Sequence, residues 1–177
     1  KFLMAGKSGL NITTSKTDFL KQYGDSEDWI TPMINRFGPK EIIKFCQDLG
    51  HEIFFGSSGK VFPISMKTSP LLRSWLANLK KSGVTLETSS RWIDFNNRSK
   101  ALDEGGWRHH IIKKSDETYM VASRATILAM GGASWARLGS DGKWLSILQK
   151  YIDNSKEALI SFSPSNMGLK INWSENM

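Results

Sequence analysis

The sequence predicts an α/β fold with a small antiparallel β excursion, on three observations. Helical periodicity recurs twice between residues 39 and 83, and short β candidates adjoin both helices. An almost wholly apolar stretch, residues 125–130, leads into a glycine-rich loop at residues 131–142, and a further helix candidate follows. Because continuous apolar strands are typical of strands covered on both faces, we expect residues 125–130 at the centre of a sheet.

Two helices are predicted, each with residues that mark its beginning and its end. The first begins at Pro39, which suits the first helical position, and ends at Gly50 as its C-terminal cap. The second opens at Ser69-Pro70, with Ser69 as N-cap, and stops at Gly83. The apolar positions at helical spacing are Ile42, Phe45, Cys46 and Leu49 in the first helix and Leu71, Leu72, Trp75, Leu76 and Leu79 in the second.

The strand candidates follow local turn signals. Glu52 to Phe55 and Lys60 to Ile64 flank Gly56-Ser57-Ser58-Gly59, a pattern typical of a hairpin. A strand over residues 84–88 is expected to lead into Ser90-Arg91-Trp92-Ile93. The antiparallel excursion comprises strands at 107–113 and 118–122 with a turn at Gly105-Gly106, and a last helix is expected over 143–151.

Composition restricts the class of protein. The 177 residues are 40% hydrophobic, which is enough for one packed domain. The one cysteine, Cys46, allows no intramolecular disulfide, so a reducing, cytoplasmic location is expected. Since no apolar run approaches the ~20 residues that span a bilayer, we expect no membrane partner.

The charge of the chain favours anionic partners in general, without selecting nucleic acid. The formal net charge is +7 and the sequence pI is about 9.5. The basic residues are scattered, however, and their longest adjacent runs are Lys80-Lys81 and Lys113-Lys114. Such scattering is typical of a solvated surface, so a non-catalytic nucleic-acid-binding module is kept as the alternative function.

Three other motifs are interpreted as structural. Gly6-Lys7-Ser8 resembles the end of a phosphate-binding loop, but the leading glycine would fall on Lys1. Cys46 lies on an apolar helix face, where a small buried side chain is the usual role. The histidines lack metal-ligand spacing with cysteine or carboxylates, so no metal is expected.

The order of several segments resembles a bacterial flavoprotein family. Lys1 to Asn11, Gly50 to Pro63, Met66 to Arg73 and Gly131 to Gly142 follow one another as in the HI0933-like group of FAD-dependent, NAD(P)-type oxidoreductases, also described as aminoacetone-oxidase-like. The resemblance covers nearly the whole chain. It implies a partial Rossmann-like FAD-binding domain and hydride transfer by flavin, with NAD(P)H left open as electron donor and a small molecule as substrate.

The resemblance also implies which residues contact the cofactor. The loop at the start of the chain is similar to the loop that lies beside the isoalloxazine ring in this family. The strand at Arg91-Trp92 is similar to the strand that holds adenine. The end of the apolar strand is similar to the segment that completes the cofactor site. The implied FAD-binding residues are Lys1, Ala5, Gly6, Lys7, Gly9, Leu10, Asn11, Trp92, Ala129, Met130, Gly131, Gly132 and Ser134. No catalytic acid or base is identified.

The family comparison further implies that the chain is a fragment. In that family an N-terminal βαβ unit carries the Gly-x-Gly-x-x-Gly fingerprint, and this sequence contains no counterpart of that unit. We therefore expect residues 1–160 to be the C-terminal portion of an FAD-binding domain and residues 161–177 the start of a truncated second domain. Residues 1–177 alone are expected to bind FAD weakly and to be inactive.

Overall fold

The computed structural model describes residues 2–4, 9–96, 103–152 and 159–164. The chain divides into two compact units, Lys1–Leu86 and Glu87–Met177. In the first unit the elements are β1 (Thr13–Thr14), α1 (Glu27–Arg36), α2 (Pro39–Asp48), β2 (Ile53–Phe55), β3 (Lys60–Pro63) and α3 (Thr68–Lys81), with 3-10 turns at Phe2–Met4 and Phe19–Ser26. The second unit contains β4 (Ser90–Phe95), β5 (Arg108–Lys114), β6 (Glu117–Ser123) and α4 (Trp144–Leu148), with a 3-10 turn at Ala136–Leu138.

The first unit packs two helices against a small antiparallel sheet with the order β1-β3-β2. The predicted hairpin is confirmed: β2 and β3 pair antiparallel, and the N–H of Gly56 donates to the carbonyl of Lys60 at 2.8 Å. Leu10, Cys46 and Leu71 form the buried cluster, each no more than 4% exposed. The interpretation of Cys46 as a buried structural side chain is thus confirmed, and its burial raises the pKa of the thiol.

The helix ends agree with most of the sequence signals. The N–H of Gly38 donates to the Glu41 carboxylate at 2.9 Å, next to Pro39 at the first helical position. Gly50 and Gly83, with φ of 82° and 80°, stop α2 and α3 as predicted, because glycine adopts this left-handed conformation without a Cβ clash. The predicted N-cap Ser69 is wrong: α3 begins at Thr68, and Lys67 occupies the cap position.

The second unit is organised by the antiparallel sheet β4-β5-β6. The predicted excursion is confirmed: β5 and β6 pair from Arg108↔Ser123 to Lys114↔Glu117. Between Trp92 and Asp94 the pairing of β4 with β5 shifts register, so Trp92 lies opposite Ile112 and Phe95 opposite His110. This irregularity brings Trp92 and Phe95 to one face of the sheet, where their rings pack edge-on at 5.0 Å.

Two predicted strands are wrong, and both fail for want of a partner strand. Residues 125–130 contain no strand, and the Ile127 side chain is 92% exposed rather than central in a sheet. Residues 84–88 likewise lie outside any strand, with Val84 and Leu86 half exposed. Apolar composition favours an extended chain, but a strand needs hydrogen-bonding neighbours, and the described part of the chain provides none for these segments.

One helix was not anticipated and another is shorter than expected. No helix is predicted before Pro39, yet α1 begins at Glu27 and continues across Pro32 to Arg36. The helix expected over 143–151 is confirmed over a shorter range, since α4 covers only Trp144–Leu148.

Asp94 joins the sheet of the second unit to the residues that follow α4. Its carboxylate accepts hydrogen bonds from the Tyr151 hydroxyl at 2.6 Å, the Lys150 ammonium at 2.8 Å and the N–H of Phe95 at 2.9 Å. Burial raises the pKa of this carboxyl, but the bonds from Lys150, Tyr151 and Phe95 favour the charged form, and the net pKa is lowered. Tyr151 also packs its ring edge-on against Phe95 at 5.0 Å.

We expect Tyr151→Phe to lower the free energy of unfolding by about 1–2 kcal/mol at pH 7, because it removes a donor to a charged group and keeps the ring contact. A carboxyl whose pKa is lowered by folding stabilises above its unfolded pKa and loses that contribution as the pH falls through the folded value. The difference from wild type should therefore shrink below about pH 4. Urea unfolding at pH 7 and pH 3 measures it, with Tyr23→Phe as the exposed control; an equal loss at both pH values would contradict the assignment.

Candidate functional site

The glycine-rich loop of the second unit is closed by its own hydrogen bonds. Trp135 and Ser140 form an antiparallel bridge, in which the N–H of Trp135 donates to the Ser140 carbonyl at 3.2 Å and the N–H of Ser140 donates to the Trp135 carbonyl at 3.1 Å. The short turn Ala136–Leu138 lies inside this bridge, and Gly139 closes it with φ of 83°. A loop held in this way presents a fixed backbone surface.

Side chains from within and beyond the loop hold its first residues. The Ser140 hydroxyl, which is buried, donates to the carbonyl of Gly132 at 2.6 Å. The Trp144 indole N–H, on α4, donates to the carbonyl of Gly131 at 3.0 Å. The junction between residues 125–130 and the loop is therefore held through its carbonyl groups.

The loop glycines differ in what surrounds them. Gly131 and Gly142 have φ of 71° and 70°, a conformation that favours glycine. A Cβ at Gly142 would lie 2.9 Å from the Ala133 Cβ and 3.1 Å from the Phe162 ring, whereas a Cβ at Gly132 would meet no atom of the described residues within 4 Å. The backbone at Gly132 is therefore open to a ligand, while that at Gly142 is enclosed by protein.

A cavity of about 770 Å³ lies beside β4 and is called the β4 cavity below. Its lining includes the consecutive residues Ser89 to Ile93, together with Met130, Gly139 and Trp144. Because successive strand residues face opposite sides of a sheet, a cavity lined by five in a row lies along the edge of the strand. An edge strand directs unpaired backbone N–H and C=O groups outward, and β4 is an edge strand of its described sheet.

Three charged side chains line the cavity. The guanidinium of Arg91 contacts the Asp141 carboxylate at 3.0 Å, and the ammonium of Lys143 lies 3.9 Å from it. The Lys143 N–H and the Arg91 side chain both bond the Asp141 carboxylate and lower its pKa. These bonds outweigh the effect of burial, so Asp141 remains ionised and its carboxylate holds the Arg91 guanidinium at the cavity wall.

Trp92 contributes an unsatisfied polar group. Its indole Nε1 is buried and has no hydrogen-bond partner among the described residues. Its side chain is half-buried and also lines a neighbouring cavity of about 580 Å³. A buried donor without an acceptor is costly, which is a feature of binding sites whose ligand completes the hydrogen bonding.

The structure brings together only some of the predicted site residues. Trp92 and Met130 line the β4 cavity. Ala129 precedes Met130 in the chain and Gly131, Gly132 and Ser134 follow it, but these four residues do not line the cavity. Sequence reasoning missed three lining residues, Arg91, Asp141 and Lys143. Asp141 lies inside the glycine-rich segment itself, so a charged residue between Gly139 and Gly142 was the signal that could have found it.

In the first unit, the described site residues are Gly9, Leu10 and Asn11. The Leu10 side chain belongs to the core, and its N–H donates to the Met66 carbonyl at 3.0 Å. Gly9 has φ of 143°, and a Cβ there would overlap the Met66 methyl group. Asn11 is exposed. Lys1, Ala5, Gly6 and Lys7 lie outside the described residues.

Two general features complete the description of the site. No group of three or more His, Cys, Asp or Glu side chains within the described ranges is arranged to hold a metal ion. Among these same ranges, no helix has the length and apolar character needed to cross a membrane.

The family model of the HI0933-like protein Rossmann domain matches residues 1–155. The chain belongs to the HI0933-like family. No curated protein matches the sequence. Membership confirms the predicted α/β, Rossmann-like class and places the chain in an FAD-binding family of flavoproteins. Within this HI0933-like domain, the glycine-rich loop and the β4 cavity both lie in the matched residues.

We expect Gly142→Ala to destabilise this HI0933-like domain by about 2 kcal/mol, because it combines an unfavourable positive φ with a clash against Ala133 and Phe162. Gly132→Ala is the matched control, since it adds the same methyl group to open space, and should stay within about 0.5 kcal/mol of wild type. Thermal unfolding of both variants measures the difference. Equal melting temperatures for the two variants would show that the loop is not enclosed at Gly142.

Proposed function

We propose that this chain is part of an FAD-dependent oxidoreductase and that the β4 cavity holds the adenine end of FAD. The observation that carries the proposal is the convergence of Trp92, on the edge strand, and Met130, at the start of the glycine-rich loop, on one cavity. These two positions are 38 residues apart in sequence. The flavin supplies hydride transfer when bound, with a small molecule as substrate and NAD(P)H as the donor to be tested.

The residues present fit such a group. The cavity volume is within the ~300–1,000 Å³ typical of sites for small molecules and cofactors. The exposed backbone edge of β4 offers hydrogen-bonding groups to the edge of a planar base, and the buried Nε1 of Trp92 is a further donor without a partner in the described chain. Main-chain groups recognise a heterocycle by shape and hydrogen-bond pattern, so the contacts along the strand edge require no particular side chain at Arg91.

The strand end after Met130 supports the same placement. The carbonyls of Gly131 and Gly132 are held by Trp144 and Ser140, while the space at the Gly132 Cα is open. A ligand can therefore approach the backbone closely at a point that does not move to receive it. Ala129 and Ser134, both exposed, flank this point and complete the proposed strand-end contacts.

The first-unit loop is proposed to contact the isoalloxazine ring through Lys1, Ala5, Gly6, Lys7, Gly9, Leu10 and Asn11. Of the described members, Gly9 and Asn11 remain accessible, whereas Leu10 contributes to the core and takes part only through its backbone. We further propose that residues 1–160 are the C-terminal portion of the FAD-binding domain, that residues 161–177 begin a second domain, and that the chain alone is inactive.

A comparison of FAD with FMN, which lacks the adenosine, tests the adenine site in the full-length protein. Ser146→Phe fills the β4 cavity from α4 and should weaken FAD binding at least tenfold while FMN binding is unchanged. Gln149→Phe adds the same ring at an exposed position that does not line the cavity. Titration followed by flavin fluorescence measures both affinities. Equal loss of FAD and FMN binding, or no loss of either, would refute the placement.

A second variant tests the proposed role of Lys7. A cation near the pyrimidine edge of the flavin stabilises the negative charge of the reduced form, so Lys7→Ala should lower the reduction potential of the bound flavin. Lys16→Ala, in the same unit, is the surface control. Spectroelectrochemical titration reports the potential directly. An unchanged potential in Lys7→Ala would remove Lys7 from the proposed site.

A further inference from the structure

Residues 125–130 are held by side chains rather than by their backbone. Among the described residues, no backbone hydrogen bond joins this segment to another part of the chain. It leaves β6 after Ser123 and reaches the loop at Gly131, where Trp144 and Ser140 hold the carbonyls of Gly131 and Gly132. The start of the segment needs a separate attachment, because nothing in a free extended chain fixes the direction in which it leaves the sheet.

That attachment is a triangle of polar side chains, called the His110 cluster below. The Nε2 atom of His110 lies 2.8 Å from the Thr126 hydroxyl oxygen and 2.9 Å from that of Ser123. The two hydroxyl oxygens lie 2.9 Å from each other. His110 is 6% exposed and is carried by β5, the central strand of the sheet.

We infer that His110 is a positioning residue for the proposed cofactor site, because it fixes the start of the segment whose other end, at Met130, lines the cavity proposed for adenine. The inference rests on the proposed function. In the inferred tautomer, with the proton of the neutral imidazole on Nδ1, Nε2 accepts a hydrogen bond from one hydroxyl, and the second hydroxyl donates to the first. This directional arrangement determines where Thr126 sits on the sheet, and through it the path of Ala129 and Met130.

The surroundings of His110 favour the neutral imidazole. Burial, the nearby Arg108 and the adjacent His109 all lower the pKa of the imidazole. On the neighbouring strands and the covering segment, the groups that share its surroundings are the rings of Phe95 and Trp92, the phenols of Tyr119 and Tyr151, and Glu87. Glu87 is engaged by the Lys114 ammonium at 2.7 Å, and the Tyr151 hydroxyl by Asp94.

The test compares three variants in the full-length protein. Thr126→Val keeps the side-chain shape and removes the hydroxyl, Thr126→Ser keeps the hydroxyl, and Thr118→Val makes the same change at an exposed position on β6. We expect Thr126→Val to weaken FAD binding about fivefold to tenfold, and Thr126→Ser and Thr118→Val to bind FAD as wild type does.

A readout independent of the cofactor is the ¹⁵N spectrum of the His110 imidazole. In the wild type, Nε2 should be unprotonated and hydrogen-bonded at pH 7, and its shift should move in Thr126→Val but not in Thr118→Val. Wild-type FAD affinity in Thr126→Val, or an unaltered Nε2 shift, would overturn the inference. If the wild-type protein itself binds no FAD, the proposed function fails, and the ¹⁵N measurement still decides whether the His110 cluster exists.

Discussion

The described structure of the second unit depends on how an apolar segment without strand partners is held in place. Residues 125–130 make no backbone hydrogen bonds to the rest of the described chain, so side chains carried by other elements determine their position. Thr126 is attached to His110 of β5, and the carbonyls after Met130 are attached to Ser140 and Trp144. The position of residues 125–130 therefore depends on the sheet, and the position of the start of the glycine-rich loop depends in part on residues 125–130. A defect in β5 should be transmitted to the loop without any contact between the two.

The same sheet determines the character of the β4 cavity. The register shift between Trp92 and Asp94 places Trp92 and Phe95 on one face, where Phe95 also packs against Tyr151. After this shift, the Asp94 carboxylate accepts hydrogen bonds from Lys150 and Tyr151, which follow α4. Trp144, on α4, donates to the Gly131 carbonyl. One irregular step in an edge strand thus connects the cavity wall with the loop. Unpaired edge backbone is normally a liability that proteins cover, and here it lies along a cavity.

Local signals predicted much of the fold, and nonlocal requirements account for the errors. Pro39, Gly50 and Gly83 act within a few residues of the helix ends that they mark, and the hairpin turn at Gly56–Gly59 does the same for β2 and β3. The strand at residues 125–130 could not be judged locally, because its existence depends on neighbours elsewhere in the chain. The site shows the same division. The family resemblance predicts Met130 and Trp92 as site residues, whereas the Arg91–Asp141 pair joins residues 50 apart in sequence, and a local pattern does not reveal which partner Asp141 has.

The charges around the β4 cavity indicate which part of a dinucleotide it suits. Asp141 is held ionised by Arg91 and by the N–H of Lys143. Because the Arg91 guanidinium is already paired with this carboxylate, it is less available to bind a phosphate. Lys143 is exposed to solvent, where screening reduces its attraction for an anion to a small contribution. An anionic pyrophosphate would gain little binding free energy in this cavity, and the Asp141 carboxylate would repel it. A neutral base gains from the exposed edge of β4 and from the indole N–H of Trp92, which lacks a partner in the described structure. The charges of the cavity therefore favour a neutral group over an anion, which agrees with the proposed adenine end, and the pyrophosphate of the proposed cofactor has to be held by groups other than these.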